Sequence, residues 1–229
     1  MIIIGNGRLI TRNAAEPYYE NGAVVTENEL IKETGTTAEM RLKYPDAEFV
    51  DAKGGVIMPA FINAHTHIYS ALARGLSIAG YNPTNFYEVL DGMWWKIDRS
   101  LTLEDTRRSA YTTIIDCIKT GCTTIFDHHA SFCQIEGSLF AIADAAKALG
   151  IRACLCYEVS ERDGEKKCDE SIEENRNFID YCERENDPML KAMFGGHALF
   201  TIGDKTFEKC VKANGGRTGF HIHVCEGMN

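Results

Sequence analysis

The stretch VIMPAFINAHTHIYSALARG, residues 56–75, is an apolar run that ends in two histidines one residue apart, His65 and His67. Alternate side chains of a β-strand project to the same face. A strand beginning near Val56 therefore delivers both imidazoles to one side at its C-terminal end, where they can share a metal ion.

Beyond this stretch the sequence alternates. The apolar run VIMPAFINAH is followed by helical segments to about residue 119, CTTIFDHH by GSLFAIADAAKAL, and IRACLCYEV by SIEENRNFIDYCEREN. MLKAMFGGHALF then precedes DKTFEKCVKAN, and TGFHIHVCEG closes the series. Five strands joined by four helical connections predict a parallel sheet, and their near-continuous apolar character suits strands covered on both faces. Residues 1–55 have a different texture: short strand-like runs such as GRLIT, GAVVTE and ELIKET surround one helical patch, TTAEMRLKYP, which Pro45 ends. The expected organisation is a small β-rich unit over 1–55 and an α/β unit over 56–229.

All seven histidines fall at or just past the C-terminal end of a predicted strand: His65, His67, His128, His129, His197, His221 and His223. Both (β/α) barrels and open doubly wound sheets assemble their sites at that end. A catalytic zinc site takes about three protein ligands and keeps one position open. His65 and His67 supply two, and the fifth strand offers His221 or His223, which share a face, as the third. No G-x-G-x-x-G or G-x-x-x-x-G-K-[ST] follows any strand, so a nucleotide-binding doubly wound domain lacks support.

Bulk properties narrow the function class. A formal charge of -9 with 45% hydrophobic residues suits a globular protein and disfavours binding to nucleic acid or acidic membranes. Neither a basic leader region nor an apolar window of about 18 residues is present, so neither a signal peptide nor a membrane span is expected. Nine cysteines, an odd number with none at C-x-x-C spacing, read as reduced packing residues of a cytoplasmic protein.

MPAFINAHTHIY resembles the Pro-Gly-hydrophobic-hydrophobic-Asn/Asp-x-His-x-His signature of the metal-dependent amidohydrolase superfamily. HALFT and HIHVCEG resemble the fourth- and fifth-strand motifs of its branch of heterocycle deaminases and triazine chlorohydrolases. FDHHAS, LCYEVSERDG and FHIHVCEG are together most similar to the aminohydrolases associated with bacterial selenium metabolism. The resemblance implies a partial (β/α)8 TIM-type barrel of about five strands with part of a small flanking β-sandwich. It implies His65, His67 and His223 as ligands of one divalent metal ion, zinc or alternatively iron, and Glu226 as the catalytic proton shuttle. His197 would contact a small heterocyclic substrate, and His221 would neighbour the site without ligating. Such an ion lowers the pKa of bound water to about 7, and a nearby carboxylate can carry protons.

Trp95 and His128 are further candidates for substrate binding: Trp95, beside Trp94 on the long first connection, as a cover for a flat ring, and His128, beside Asp127, as part of the pocket wall. Tyr69 and Arg74, just past the His-x-His pair, are candidates too. The sequence departs from the family pattern at Ala60, where glycine is usual, and at Leu199-Phe200, where Pro-Tyr is common. It also departs in length: 174 residues follow the first 55, whereas a complete barrel takes about 250. The family's sixth-strand histidine and eighth-strand aspartate have no counterpart. The chain is thus expected to be the N-terminal part of a hydrolase acting on C–N bonds, working as a homo-oligomer or with a complementing C-terminal half. The alternative is a truncated, inactive metal-binding or interaction fragment.

Overall fold

The computed structural model describes residues 1–225. The chain divides into two compact units, Met1–Ala60 and Phe61–Asn229.

The first unit is a five-stranded sheet built on β1 (Ile2–Ile10), whose burial alternates so that Ile3, Gly5, Gly7 and Leu9 face inward. β2 (Tyr18–Glu27) pairs antiparallel with β1, and β3 (Leu30–Thr36) antiparallel with β2. The helix α1 (Thr37–Lys43) starts at a capping box in which Thr36 and Glu39 satisfy each other's backbone N–H groups. β4 (Glu48–Asp51) and β5 (Val56–Ile57) both run parallel to β1. Ile3, Ala23, Val25 and Met40 form the core of this unit.

Val56 and Ile57 therefore belong with the first unit, paired to Arg8 and Leu9, and do not open the histidine strand. Pro59 lacks a backbone donor and lies in the irregular segment 58–60. The histidine strand, β6, is Phe61–Thr66. The division between units thus falls after Ala60, five residues beyond the change of sequence texture.

After β6 come a 3-10 turn (Ile68–Ala73) and a helical run made of α2 (Phe86–Val89), a π-type turn (Leu90–Trp94) and α3 (Trp95–Asp98). Then follow α4 (Leu103–Lys119), β7 (Cys122–His129), α5 (Ser138–Leu149), β8 (Arg152–Tyr157) and α6 (Glu165–Glu185). The fourth predicted strand is split at Met193 into β9 (Leu190–Ala192) and β10 (Phe194–Ala198), and α7 (Asp204–Asn214) leads to β11 (Phe220–His223). β6, β7, β8 and β9 pair in chain order, all parallel, and β10 pairs parallel with β11.

The two strand groups are joined across β8 and β10. Met193 N donates to Leu155 O at 3.1 Å and His197 N to Val159 O at 2.9 Å. Between these bonds the ladder is completed by Asn175 of α6, fully buried. Its Oδ1 accepts from Tyr157 N (2.9 Å) and Gly195 N (3.0 Å), and its Nδ2 donates to Tyr157 O (2.8 Å). The strands approach so closely here that a Cβ on Gly195 would stand 2.2 Å from the Tyr157 carbonyl oxygen.

Burial falls from the middle of this array to its edges. β8 and β10 are almost wholly buried, whereas β6 and β11 are only partly covered. Among the described residues β6 and β11 each have one strand neighbour. Phe61 and Ile62 on β6, Ile115 and Ile118 on α4, and Phe207 and Val211 on α7 are exposed. The nine cysteines are free thiols, seven of them buried, and burial pushes the Cys154 and Cys182 thiols up to about 11. No helix of the described residues is long and apolar enough to cross a membrane.

The Asn175 bridge yields a stability test. Asn175→Ala strands three buried backbone groups, and the expected loss is about 3 kcal/mol in urea unfolding. A loss below about 0.5 kcal/mol would mean that β8 and β10 hold together without it.

Candidate metal and substrate site

The strand ends converge on a cluster of imidazoles. His67 Nδ1 lies 2.8 Å from the His128 carbonyl oxygen, and His223 Nδ1 lies 2.9 Å from that of His197. A carbonyl only accepts, so both Nδ1 atoms carry the proton and both Nε2 atoms present a lone pair. Those two Nε2 atoms face each other at 3.2 Å. Two acceptors so placed repel unless a proton or a metal ion lies between them. For a tetrahedral zinc site with Zn–N of about 2.05 Å, neighbouring ligand atoms stand about 3.3 Å apart, so the pair fits a shared ion.

His65 completes the group. Ligating atoms of His65, His67 and His223 all lie within 4.8 Å of one another. Its ring is oriented by His221, whose Nε2 is 2.8 Å from His65 Nδ1. Burial above all, opposed by the hydrogen bond to His128, pushes the His67 pKa down to about 4. Burial, then the neighbouring His65 and His223, brings His221 to about 4 as well. His67 and His221 are thus neutral near pH 7, the form that ligates.

Beside the triad lies a cavity of about 250 Å³. Its walls include His67, His223 and His197, the rings of Tyr69, Phe86, Trp94 and Trp95, and the carboxylate of Glu158. Trp95 meets His197 edge-on with ring centres 6.2 Å apart, and Thr201 Oγ1 holds His197 Nδ1 at 2.6 Å. Trp94, Trp95, Tyr69 and His197 thus stand together in one wall system.

Two sequence candidates have other surroundings. His128 is fully buried and does not line the cavity; its Nε2–H donates to Gly196 O at 2.9 Å and its backbone carbonyl holds His67. It supports the site from behind because β7 is an interior strand. Arg74 is exposed and pairs with Asp116 at 2.7 Å, away from the cavity. Glu226 lies outside the described residues.

Glu158 and Arg162 were not singled out in the sequence, although they follow β8 as the histidines follow their strands. Strand-end position was the available signal. Asp127, fully buried at the end of β7, accepts from Ile68 N at 2.7 Å and so fixes the turn that follows His67.

Residues 56–229 match the amidohydrolase family, and residues 22–47 match the imidazolonepropionase-like composite domain of bacteria. The chain belongs to the amidohydrolase family. Among its relatives, a 5'-deoxyadenosine deaminase of Methanosarcina barkeri is 30% identical over 226 residues, 98% of this chain and 49% of that protein. An atrazine chlorohydrolase from Arthrobacter aurescens, solved with zinc, shares the fold with a TM-score of 0.77 at 19% identity, over 98% of this chain and 53% of its own. An adenosine deaminase from Xanthomonas campestris with bound zinc superposes with a TM-score of 0.76 at 20% identity, over 98% of this chain and 49% of its own. The chain thus spans about half the length of the relatives it matches.

Asp127 gives a pH prediction. Burial pushes its carboxyl up to about 8 against hydrogen bonds from Ile68 and His128. Unfolded, the same group has lost its proton by about pH 4. The folded chain therefore holds the extra proton between those values, and stability falls as pH rises through them. Between about pH 7 and 8, where histidines are mostly neutral in either state, unfolding free energy of the metal-free protein should drop by up to about 1.4 kcal/mol per pH unit. Asp127→Asn should flatten that slope in denaturant titrations; an unchanged slope would assign it elsewhere.

Proposed function

We propose that the chain is the N-terminal part of a metal-dependent aminohydrolase that deaminates, or as a chlorohydrolase dehalogenates, a small nitrogenous heterocycle. The observation that carries this reading is the pair of bare Nε2 atoms 3.2 Å apart, with His65 beside them and an aromatic cavity adjoining. His65, His67 and His223 would hold one divalent ion. Three neutral imidazoles suit zinc and also iron; the zinc in the two solved relatives favours zinc. Once bound, the ion supplies the acidity that makes water a nucleophile near neutral pH.

The chain's own groups would do the rest. Trp94, Trp95 and Tyr69 would stack on a flat ring, His197 would hold an edge of it, and Glu226 would carry the proton to the leaving nitrogen. The adenosine-type and triazine compounds in the relatives' names support a small nitrogenous heterocycle as the substrate. The motif resemblance favours the selenium-associated aminohydrolases within it. The fold we propose is a (β/α)8 barrel shared with a C-terminal half, with residues 1–60 as part of the flanking β-sandwich. The exposed apolar side chains of β6, α4 and α7 support this, being faces that further strands and helices would cover.

Two measurements test the proposal. Zinc-loaded wild-type chain should hold about one ion by elemental analysis, and the His65→Ala/His67→Ala double variant almost none, with circular dichroism unchanged. Equal metal content in both would contradict the ligand assignment. Release of ammonia or chloride from an aminoheterocycle panel then separates an enzyme from an inactive metal-binding fragment.

A further inference from the structure

The cavity wall holds a carboxylate that the proposed hydrolysis does not use. Glu158 is 3% exposed, follows β8 directly and lines the cavity. Its Oε1 is engaged by Arg162 Nη2 at 3.1 Å. Arg162 is itself nearly buried, bound to Asp98 through both oxygens (2.5 and 3.3 Å) and seated 4.1 Å over the Phe132 ring and 5.1 Å from Trp95. Asp163, 3.2 Å from Arg162, has Arg99 at 2.7 Å as well. One guanidinium thus serves Asp98 and Glu158 together and holds the Glu158 carboxylate rigidly as an acceptor.

Among the described residues no hydrogen bond reaches the second oxygen of Glu158. Oε2 lies 3.8 Å from His128 Nδ1, beyond hydrogen-bond range. Moreover, His128 spends its proton on Gly196 O through Nε2, which leaves Nδ1 an acceptor. In the same wall Trp95 is 5% exposed, and its Nε1–H has no acceptor among the described residues. Buried polar atoms without partners are uncommon in folded proteins. Glu158 thus offers an acceptor oxygen in a cavity lined by aromatic rings, which suits a flat heterocycle bearing a donor group.

We propose that Glu158, clamped by Arg162, determines specificity: it accepts a hydrogen bond from a donor group of the substrate other than the group removed. Preferred substrates are then flat heterocycles carrying a second amino group or a hydroxyl. This inference rests on the aminohydrolase reading and names the substrate class for that same site.

Trp94 and Trp95 are the two tryptophans of the chain and both line the cavity, so intrinsic fluorescence reports its occupancy. The zinc-loaded chain and its Glu158→Gln variant would be titrated with 9-methyladenine, 2,6-diamino-9-methylpurine and 5'-deoxyadenosine. The first has no donor besides the amino group to be removed; the second adds an amino group and the third adds hydroxyls. A charge-assisted hydrogen bond predicts that one of the latter two binds wild type about 10- to 100-fold more tightly than 9-methyladenine, and Glu158→Gln should erase that preference. Which probe gains tells amino from hydroxyl recognition. Equal affinity for all three probes, no quenching by any of them, or a preference that survives Glu158→Gln overturns the proposal. If the variant loses its native circular dichroism, the wild-type order of affinities decides. Zinc content measured on the same samples keeps the two readings apart: absent zinc counts against the aminohydrolase, whereas bound zinc without discrimination counts against Glu158.

Discussion

Two backbone hydrogen bonds govern this site: His67 Nδ1–H to the carbonyl of His128, and His223 Nδ1–H to the carbonyl of His197. Each ring is held by the strand next to its own, His67 after β6 by β7, and His223 on β11 by β10. Tautomer and orientation are thereby set by strand pairing and not by side-chain packing alone. Flat, β6 and β11 would lie about 19 Å apart, four spacings of about 4.8 Å. Their imidazoles nevertheless meet at 3.2 Å, so the array curls strongly toward its C-terminal ends. The curl, the strand order and the exposed lone pairs are one constraint seen at three scales.

The same constraint explains why polar groups crowd an otherwise apolar interior. Near the triad, burial holds His67, His128 and His129 in the neutral form, His129 down to about 3, and keeps the Asp127 carboxyl protonated up to about 8. Neutral imidazoles and a protonated carboxyl avoid the cost of unpaired buried charge. Formal charge is gathered instead around Arg162, which is shared among carboxylates. The imidazoles of His67 and His223 and the carboxylate of Glu158 thus line one cavity together with aromatic rings.

Much of this arrangement was legible in the sequence because strand periodicity is strong in buried parallel strands. The five predicted strands, the gathering of histidines at their ends and the convergence of His65, His67 and His223 follow from spacing and motif. Other features were illegible for physical reasons. Val56 and Ile57 have the same apolar character as the strand after them, and only their pairing with β1 assigns them to the first unit. The break at Met193 and the Asn175 bridge depend on a side chain arriving from a helix, which no local pattern encodes. His128 looked like a cavity residue because it ends a strand, but whether a strand-end residue meets the cavity or packs behind it depends on tertiary position. Glu158 and Arg162 lie in the LCYEVSERDG stretch at a strand end, but that Arg162 packs over the rings of Phe132 and Trp95 depends on tertiary position.

The central claim is that strand pairing presents three imidazoles to one ion. X-ray absorption at the zinc edge of the loaded protein tests it most directly. The account predicts a first shell of nitrogen or oxygen at about 2.0–2.1 Å with the multiple scattering of three imidazoles. A sulfur shell at about 2.3 Å would mean that the metal sits on one or more of the nine cysteines instead, and would contradict it.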